Sequence, residues 1–245
     1  MQYTEDSIWS KEIRVLQPGK GYRFALDAVL LAHFVKPKPE DRLLEIGAGS
    51  GVVSILISKL NRFRSVTAIE IQKELAELCR KNFELNEIEN GEIHETDVRD
   101  LSRIFTGVFF DQIYSNPPYR KAGSGRLNPS SQKAIARHEI KMKLQDLFDC
   151  ANTFLKTAGR LTVILPAFRE SDFRQLASGY HFHCHEWKHV HSFADAPPAF
   201  FLATVGKSPA AFIERPRLVI YETPGEYTQE MWKLLNKGST DFQSA

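Results

Sequence analysis

Cysteine is scarce in this chain of 245 residues, which has only Cys79, Cys150 and Cys184. The three are far apart and odd in number, so they form neither a disulfide framework nor the paired spacing of a zinc site. A reducing compartment, the cytoplasm, is the plain expectation.

Long apolar runs are also missing from the sequence. No stretch of about 18 uncharged apolar residues is present, which argues against a membrane-spanning helix. Residues 1–11 carry Glu5 and Asp6 and lack the apolar centre of a secretory signal. Internal repeats and low-complexity tracts are absent too. A hydrophobic fraction of 42% and a charged fraction of 25% are typical of a globular protein with one sizeable domain.

The net charge does not indicate a nucleic-acid partner, because 32 Lys and Arg residues nearly balance 30 Asp and Glu residues. Residues 120–143 differ, since seven of them are basic and only Glu139 is acidic. A local basic patch on a near-neutral protein is typical of a surface that meets a polyanion such as RNA. A solvated helix surface is the alternative. The candidate RNA contacts are Arg120, Lys121, Arg126, Lys133 and Arg137.

Apolar runs alternate with segments of helical periodicity, which predicts a mostly parallel sheet with helices on both faces. Predicted strands are residues 42–46, 65–69, 91–96, 112–115 and 160–165, with an antiparallel terminal pair at 182–190 and 199–205. Predicted helices follow residue 51, span 72–86 and 143–157, and close the tail at 217–235 after a short strand. We therefore expect an α/β, Rossmann-like fold with a seven-stranded sheet. Residues 1–40 would form a cap segment that contributes to a cofactor pocket, and residues 41–245 the main domain.

The turn after the first predicted strand carries Gly47, Gly49 and Gly51 directly behind Glu45. Glycine lets a ligand approach the backbone closely, and the following helix presents free N–H groups. Dinucleotide-binding turns have the spacing G-x-G-x-x-G, whereas the third glycine here comes one residue early. An acid beside the turn disfavours pyrophosphate but suits the sulfonium and amino group of S-adenosylmethionine.

Two further acids follow the ends of predicted strands. Glu70 closes the second strand roughly 20 residues after the turn, where a carboxylate can accept hydrogen bonds from ribose hydroxyls. Asp97 follows the third strand and is placed to accept from an adenine amino group. Structural alternatives exist: packing for the glycines, a surface position for Glu70, and a helix N-cap for Asp97 or Asp100. Their joint position at strand ends predicts a nucleoside cofactor.

The fourth predicted strand runs into Asn116-Pro117-Pro118-Tyr119. Two prolines fix the backbone, so the Pro117 carbonyl has a set direction, and the Asn116 side-chain oxygen is a second acceptor. Two acceptors can hold both N–H groups of a planar amine with its lone pair aimed at a methyl donor. Tyr119 offers a stacking face for a base. We therefore predict Asn116, Pro117 and Tyr119 as catalytic, with Asn116 also bordering the cofactor; a simple strand-to-loop turn is the alternative.

With these motifs the sequence resembles the class I S-adenosylmethionine-dependent methyltransferases that have an Asn-Pro-Pro-Tyr signature. That family includes adenine-N6 enzymes acting on DNA and RNA, and also glutamine methyltransferases. More narrowly, the sequence is similar to tRNA (adenine-N6) methyltransferases that modify a valine tRNA beside its anticodon. The narrower likeness rests on residues 17–31, 45–51, 116–125 and 216–228.

The resemblance implies a class I methyltransferase fold, S-adenosylmethionine as cofactor, and adenine N6 in RNA, above all tRNA, as acceptor. It also implies that Asp27 helps to close the cofactor pocket, although Asp27 equally suits a helix N-cap. Family members often read Gly-Thr-Asp here, whereas Ala25 and Leu26 precede Asp27 in this chain.

Other functions stay open at this point. Protein glutamine N5-methylation is one alternative, because the glutamine carboxamide has the same pair of N–H donors as an adenine amino group. Such enzymes usually carry an extra N-terminal helical domain. DNA adenine methylation is a second alternative, but the sequence has no apparent target-recognition domain. A non-catalytic RNA-binding protein is a third, but it would not need the acidic residues at the strand ends. The five histidines within residues 181–191 suggest a metal, yet neither His-x-x-x-His nor paired cysteines accompany them, and we predict no metal site. The sequence does not determine the oligomeric state.

Overall fold

A mixed sheet of nine strands forms the centre of the computed structural model, which describes residues 3–9, 12–18, 26–117 and 142–236. In chain order the described strands are β1 (Tyr3–Ile8), β2 (Ile13–Pro18), β3 (Arg42–Ile46), β4 (Ser65–Glu70), β5 (Gly91–Glu95), β6 (Phe110–Ser115), β7 (Leu155–Pro166), β8 (His183–His191), β9 (Pro198–Gly206), β10 (Ile213–Glu214), β11 (Leu218–Val219), β12 (Tyr221–Thr223) and β13 (Glu226–Tyr227). The described α-helices are α1 (Leu26–Phe34), α2 (Val52–Leu60), α3 (Lys73–Leu85), α4 (Leu144–Phe154), α5 (Glu170–Gly179) and α6 (Gln229–Leu235). Short 3₁₀ helices span Val98–Arg103 and Ala167–Arg169.

The strand order is β10-β8-β9-β7-β6-β3-β4-β5, and β11 also pairs with β8. Strands β5, β4, β3, β6 and β7 run parallel, whereas β9 is antiparallel to both β7 and β8. The predicted Rossmann-like class and the antiparallel terminal pair are therefore confirmed. The strand count is nine rather than seven, because β10 and β11 add two short segments along β8. Strand β11 lies in the tail where a short strand was predicted, whereas the two residues of β10 are too few to produce a detectable apolar pattern.

Helices cover both faces of the sheet because the parallel strands are apolar on both sides. One apolar core joins the sheet to α1, α2, α3 and α6, and a second joins it to α4 and α5. Leu43 and Leu44 are neighbours in β3, and both are fully buried, each in a different core. Such strands read as continuous apolar runs, which is why their positions were predictable.

The N-terminal hairpin β1–β2 docks on α3 through two buried asparagines. Asn82 Oδ1 accepts from Leu16 N (2.8 Å), and its Nδ2 donates to Leu16 O (2.9 Å). Asn86 pairs in the same way with Arg14 N (3.2 Å) and Arg14 O (2.7 Å). The two amides thus act as a short extra strand for β2, and Ile13 enters the same core as α1 and α2. The division of the chain at residue 40 stays a prediction.

The helix predicted for residues 143–157 was too long, since α4 ends at Phe154 and β7 begins at Leu155. Lys207 Nζ donates to the carbonyls of Asn152 and Leu155 (2.8 Å each), which satisfies carbonyls at the helix end. Helix α5 was not predicted, because Phe173 and Ala177 are its only buried side chains. Within the described residues no helix is long and apolar enough to cross a membrane.

Candidate functional site

Strand pairing gathers the predicted site residues at one edge of the sheet. Ile46 at the end of β3 lies opposite Ile69 of β4 and Ser115 of β6. The backbone N–H groups of Gly47 and Ala48 both donate to Ile69 O (2.9 and 3.0 Å), and Ser115 Oγ donates to Ile46 O (2.7 Å). The glycine turn, the end of β4 and Asn116 therefore meet at the carboxyl edge, where open α/β sheets bind ligands.

The three glycines of the turn all have a left-handed backbone, with φ of +72° at Gly47, +58° at Gly49 and +83° at Gly51. A Cβ at Gly51 would lie 2.6 Å from Cys79 Sγ, so packing against α3 also requires glycine there. At Gly47, in contrast, Met142 Cε at 3.8 Å is the one described side-chain atom within 4 Å of a Cβ position. The turn is thus closed against the protein at Gly51 and open at Gly47.

Glu70 holds this turn in place. Its side chain is buried, and its carboxylate accepts from Gly49 N (2.9 Å) and from Gln72 N (2.8 Å). Each carboxylate oxygen has about two acceptor positions. Oε1 also accepts from Gln72 Nε2 (3.4 Å), so the remaining capacity for a ligand hydroxyl is on Oε2, which accepts from Gly49 N. The surface position considered as an alternative for Glu70 does not occur.

Glu45 lies inside the protein, directly behind the turn. Its Oε2 accepts from the backbone N–H (3.2 Å) and the hydroxyl of Ser54, and that hydroxyl lies 2.7 Å from Tyr114 Oη. Burial raises the pKa of Glu45 to about 8, and the two hydrogen bonds from Ser54 only partly oppose this. The carboxyl is therefore largely protonated at neutral pH.

Ser54 and Tyr114 were missed in the sequence. The sequence contains a signal for Ser54, because it is a single polar residue within the apolar run Val52–Ile57. The structure shows that its side chain is completely buried. Buried polar side chains need partners, so such a serine indicates a polar group on the strand beneath it. Nothing local in the sequence distinguishes Tyr114 from an ordinary core aromatic.

Asp97 follows β5 and caps the 3₁₀ helix Val98–Arg103. Its Oδ1 accepts from Arg99 N and from Arg99 Nε (2.9 Å each). The side-chain hydrogen bond from Arg99 lowers the pKa of Asp97 below its usual range, so the carboxylate is charged. Thr96 N donates to Glu70 O (3.1 Å), which places Asp97 beside the end of β4. The N-cap considered as an alternative is thus present, and the adenine contact stays a prediction.

Asp27 lies in the first turn of α1, one residue after the helix begins, and its Oδ1 accepts from Ala28 N (2.8 Å). It is buried. Asn116 is half-buried and Pro117 is buried, and both follow β6 at the carboxyl edge. The remaining predicted residues lie outside the described part of the chain: Tyr119, Arg120, Lys121, Arg126, Lys133 and Arg137.

The groups at this edge fit S-adenosylmethionine. The open side of the glycine turn admits a ligand close to the backbone, and two carboxylates, Glu70 and Asp97, can accept from hydroxyl and amino groups. A pyrophosphate without a bound cation would be repelled by both carboxylates. A sulfonium near Glu45 would instead favour its ionised form.

Three of the five histidines of residues 181–191 have side-chain hydrogen bonds to the protein. Their hydrogen bonds are His185 Nε2 with Ser208 O (2.8 Å), His189 Nε2 with Glu170 Oε2 (2.9 Å) and His191 Nδ1 with Ala196 O (2.7 Å). Over the described ranges, no three His, Cys, Asp or Glu side chains are grouped to hold a metal ion.

Comparison with known proteins gives a consistent result. A tRNA1(Val) (adenine(37)-N6)-methyltransferase of Shewanella amazonensis is 29% identical over 217 residues, which is 88% of this chain and 91% of that protein. An enzyme of the same name from a Flavobacteriaceae bacterium is 32% identical over 158 residues, 64% of each chain.

A solved structure, a predicted O-methyltransferase from Agrobacterium tumefaciens, matches with a TM-score of 0.66 and 24% identity over 86% of this chain and 96% of that one. This likeness supports the fold alone. The family model described as the methyltransferase small domain matches residues 26–181, which include α1, the glycine turn and Asn116. The chain therefore belongs to the methyltransferase small domain family, in which S-adenosylmethionine is the methyl donor.

Proposed function

We propose that this protein methylates the exocyclic N6 amino group of adenine in RNA, and in tRNA above all. One observation carries the proposal: the pairing of β3 with β6 puts Asn116 and Pro117 directly beside the glycine turn. The acceptor amine and the methyl donor would then meet at the same edge of the sheet.

When bound, S-adenosylmethionine supplies an electrophilic methyl group on a positively charged sulfur. We assign its backbone contacts to Gly47, Gly49 and Gly51 and its ribose hydroxyls to Glu70. Asp97 would accept a hydrogen bond from the adenine amino group of the cofactor. Asp27, Glu45 and Asn116 would border the methyl donor. A charged Asp97 beside β4 and the spare acceptor capacity of Glu70 support these roles.

Asn116 and Pro117 act on the acceptor. The Asn116 side-chain oxygen and the Pro117 carbonyl accept the two N–H groups of the amine, which aims the nitrogen lone pair at the methyl carbon. A C–N bond forms as the C–S bond breaks, with its electron pair left on sulfur, and a proton then leaves the nitrogen for water. A strong base is unnecessary because deprotonation follows the transfer. Tyr119 would stack on the adenine.

RNA is favoured as substrate by the relatives that carry a tRNA adenine-N6 name over about nine tenths of both chains. The basic residues Arg120, Lys121, Arg126, Lys133 and Arg137 follow the catalytic residues in sequence, which suits a phosphate backbone next to the target. Such a substrate would be met in the cytoplasm.

The proposal is tested by methyl transfer to unmodified tRNA transcripts, to duplex DNA and to glutamine-containing peptides. We expect N6-methyladenosine in tRNA only. Asn116→Ala should lower the transfer rate by at least about 100-fold, the scale for losing one preorganised hydrogen-bond partner. Asn152→Ala, at an exposed position on α4, is the control and should leave the rate unchanged.

Two results would contradict the proposal. Methylated glutamine without methylated adenosine would assign the protein to peptide substrates. Full activity of Asn116→Ala would remove the catalytic role of Asn116, whatever the substrate. Nucleoside mass spectrometry of tRNA from cells without this protein would identify the modified tRNA.

A further inference from the structure

Four aromatic side chains follow strand ends along the carboxyl edge of the sheet and form a row, in which Phe168 and Phe193 are exposed and Tyr221 and Tyr227 are half-buried. Phe168 follows β7 and is the most exposed large apolar side chain of the described residues, at 62%. Phe193 follows β8 and is 36% exposed. Exposed aromatics that share one edge of a protein indicate a surface built for contact.

The row starts beside the proposed catalytic residues. Strand β6, which ends at Asn116, is next to β7, and β9 and β8 follow across the sheet. Strands β6, β7 and β8 point the same way, so the segments after them share an edge. At about 4.8 Å per strand, Phe168 begins about 5 Å from Asn116 along the edge, and Phe193 about 14 Å.

Three of the rings are in contact, and two of these, Tyr221 and Tyr227, are stacked. Phe193 and Tyr221 have centroids 5.7 Å apart, and Tyr221 and Tyr227 lie 5.1 Å apart with nearly parallel planes. The two tyrosines face each other across the β12–β13 hairpin, which turns at Gly225 with φ of +92°. The sequence segment 216–228 noted above is therefore the segment that builds this hairpin.

Backbone hydrogen bonds fix the hairpin to the end of β8. Ile220 N donates to His191 O (2.8 Å), and Tyr221 N donates to Ser192 O (3.0 Å). Thr228 Oγ1 donates to Val219 O (2.6 Å) and accepts from Met231 N, so it also caps α6. A surface fixed in this way loses little conformational entropy when it binds a partner.

The charges around the row show which part of a nucleic acid it can meet. Asp195 on the loop after β8, Glu222 in β12 and Glu226 in β13 are exposed carboxylates. They repel phosphates, but carboxylates can accept hydrogen bonds from the amino groups of bases. The row therefore suits bases that point toward the protein, with the phosphate backbone on the outer side.

We propose that the row stacks unpaired bases of an RNA loop that flank the methylated adenine. This inference rests on the proposed function, because it takes RNA as the substrate. At about 3.4 Å per stacked base, 14 Å corresponds to about four nucleotides. An RNA loop, in which bases are free to turn outward, fits such a surface better than a duplex.

The test is the double variant Phe168→Ala and Phe193→Ala, compared with Phe109→Ala. Phe109 is 47% exposed and precedes β6, at the opposite edge of the sheet, so it is a matched control. Affinity for an unmodified tRNA transcript should fall at least about fivefold in the double variant, the lower end for losing a stacked base. Phe109→Ala should bind like the unaltered protein.

Three further readouts separate stacking from other effects. Methyl transfer to adenosine 5′-monophosphate, which has no flanking base, should be equal in all variants. The dependence of affinity on salt should be unchanged, because stacking releases no counterions. A fluorescent purine at a flanking position should be quenched on binding to the unaltered protein and less so in the double variant.

Unchanged tRNA affinity in the double variant, while the unaltered protein methylates tRNA, would overturn this inference and leave the proposed function intact. Unchanged tRNA affinity is also the result expected if the row binds a polypeptide instead of RNA. If the unaltered protein methylates no RNA, both the proposed function and this inference fail.

Discussion

The buried carboxyl of Glu45 should make the protein less stable as the pH rises, and Glu45→Gln should remove this dependence. The pKa of Glu45 is raised from 4.5 to about 8 in the folded state, chiefly by burial. Folding therefore favours the protonated form, and unfolding frees the group to ionise. Stability from this group is fully present below pH 4.5 and is lost as the pH rises through about 8.

The size of the effect follows from the width of that window. At about 1.4 kcal/mol per unit, the whole shift corresponds to about 5 kcal/mol. Between pH 6 and pH 9 the free energy of unfolding should fall by about 3 kcal/mol through Glu45 alone. Other groups that titrate in this range are common to both proteins, so they cancel when the variant is compared with the unaltered protein.

The assay is urea unfolding of the unaltered protein and of Glu45→Gln at both pH values. Glutamine keeps the shape of the side chain and an acceptor for Ser54, but it cannot ionise. The variant should gain about 3 kcal/mol relative to the unaltered protein between pH 6 and pH 9. Glu77→Gln, at an exposed position on α3, should show no such gain. An equal difference at both pH values would refute the assignment of a protonated, buried Glu45.

Three other outcomes are expected. Gly51→Ala should destabilise the protein by about 3 kcal/mol in urea unfolding, because the new methyl lies 2.6 Å from a buried sulfur at a positive φ, whereas Gly179→Ala, with no described atom within 4 Å, should change stability by under about 1 kcal/mol. Asn82→Ala should cost about 3 kcal/mol, since three side-chain hydrogen bonds are lost, and should speed amide exchange in β2 first; unchanged exchange there would contradict the docking role. Reversal of Arg126 and Lys133 to glutamate should weaken tRNA binding and flatten its salt dependence in filter binding at low and high salt, and equal affinities would exclude these residues from the RNA surface.

Sequence reasoning located the positions of the predicted site residues where the information is local. Parallel strands covered on both faces read as apolar runs, so the ends of β3, β4 and β6 could be located within a few residues. The carboxyl ends of parallel strands share an edge, which is why the glycine turn, Glu70 and Asn116 could be expected to meet. Residue types at those ends then indicated the chemistry.

The protonation state of the buried acid depended on residues that are far apart in sequence. Glu45 is largely protonated at pH 7 because its carboxyl is buried, and the side chains beside it, Ser54 and Tyr114, lie 60 residues apart in sequence. Charge on a buried group depends on solvent access and on neighbours in space, which a linear pattern does not contain.

The sequence by itself determined the fold class, the chain positions of the central strands and the edge at which the predicted site residues lie, because these follow from periodicity and from residues adjacent in the chain. Only the tertiary structure decided that β1–β2 docks on α3 through Asn82, that β10 and β11 extend the sheet, and that Phe193 joins Tyr221 and Tyr227 in one row. Each of these depends on side chains far apart in sequence, whose contact is fixed by the packing of whole elements.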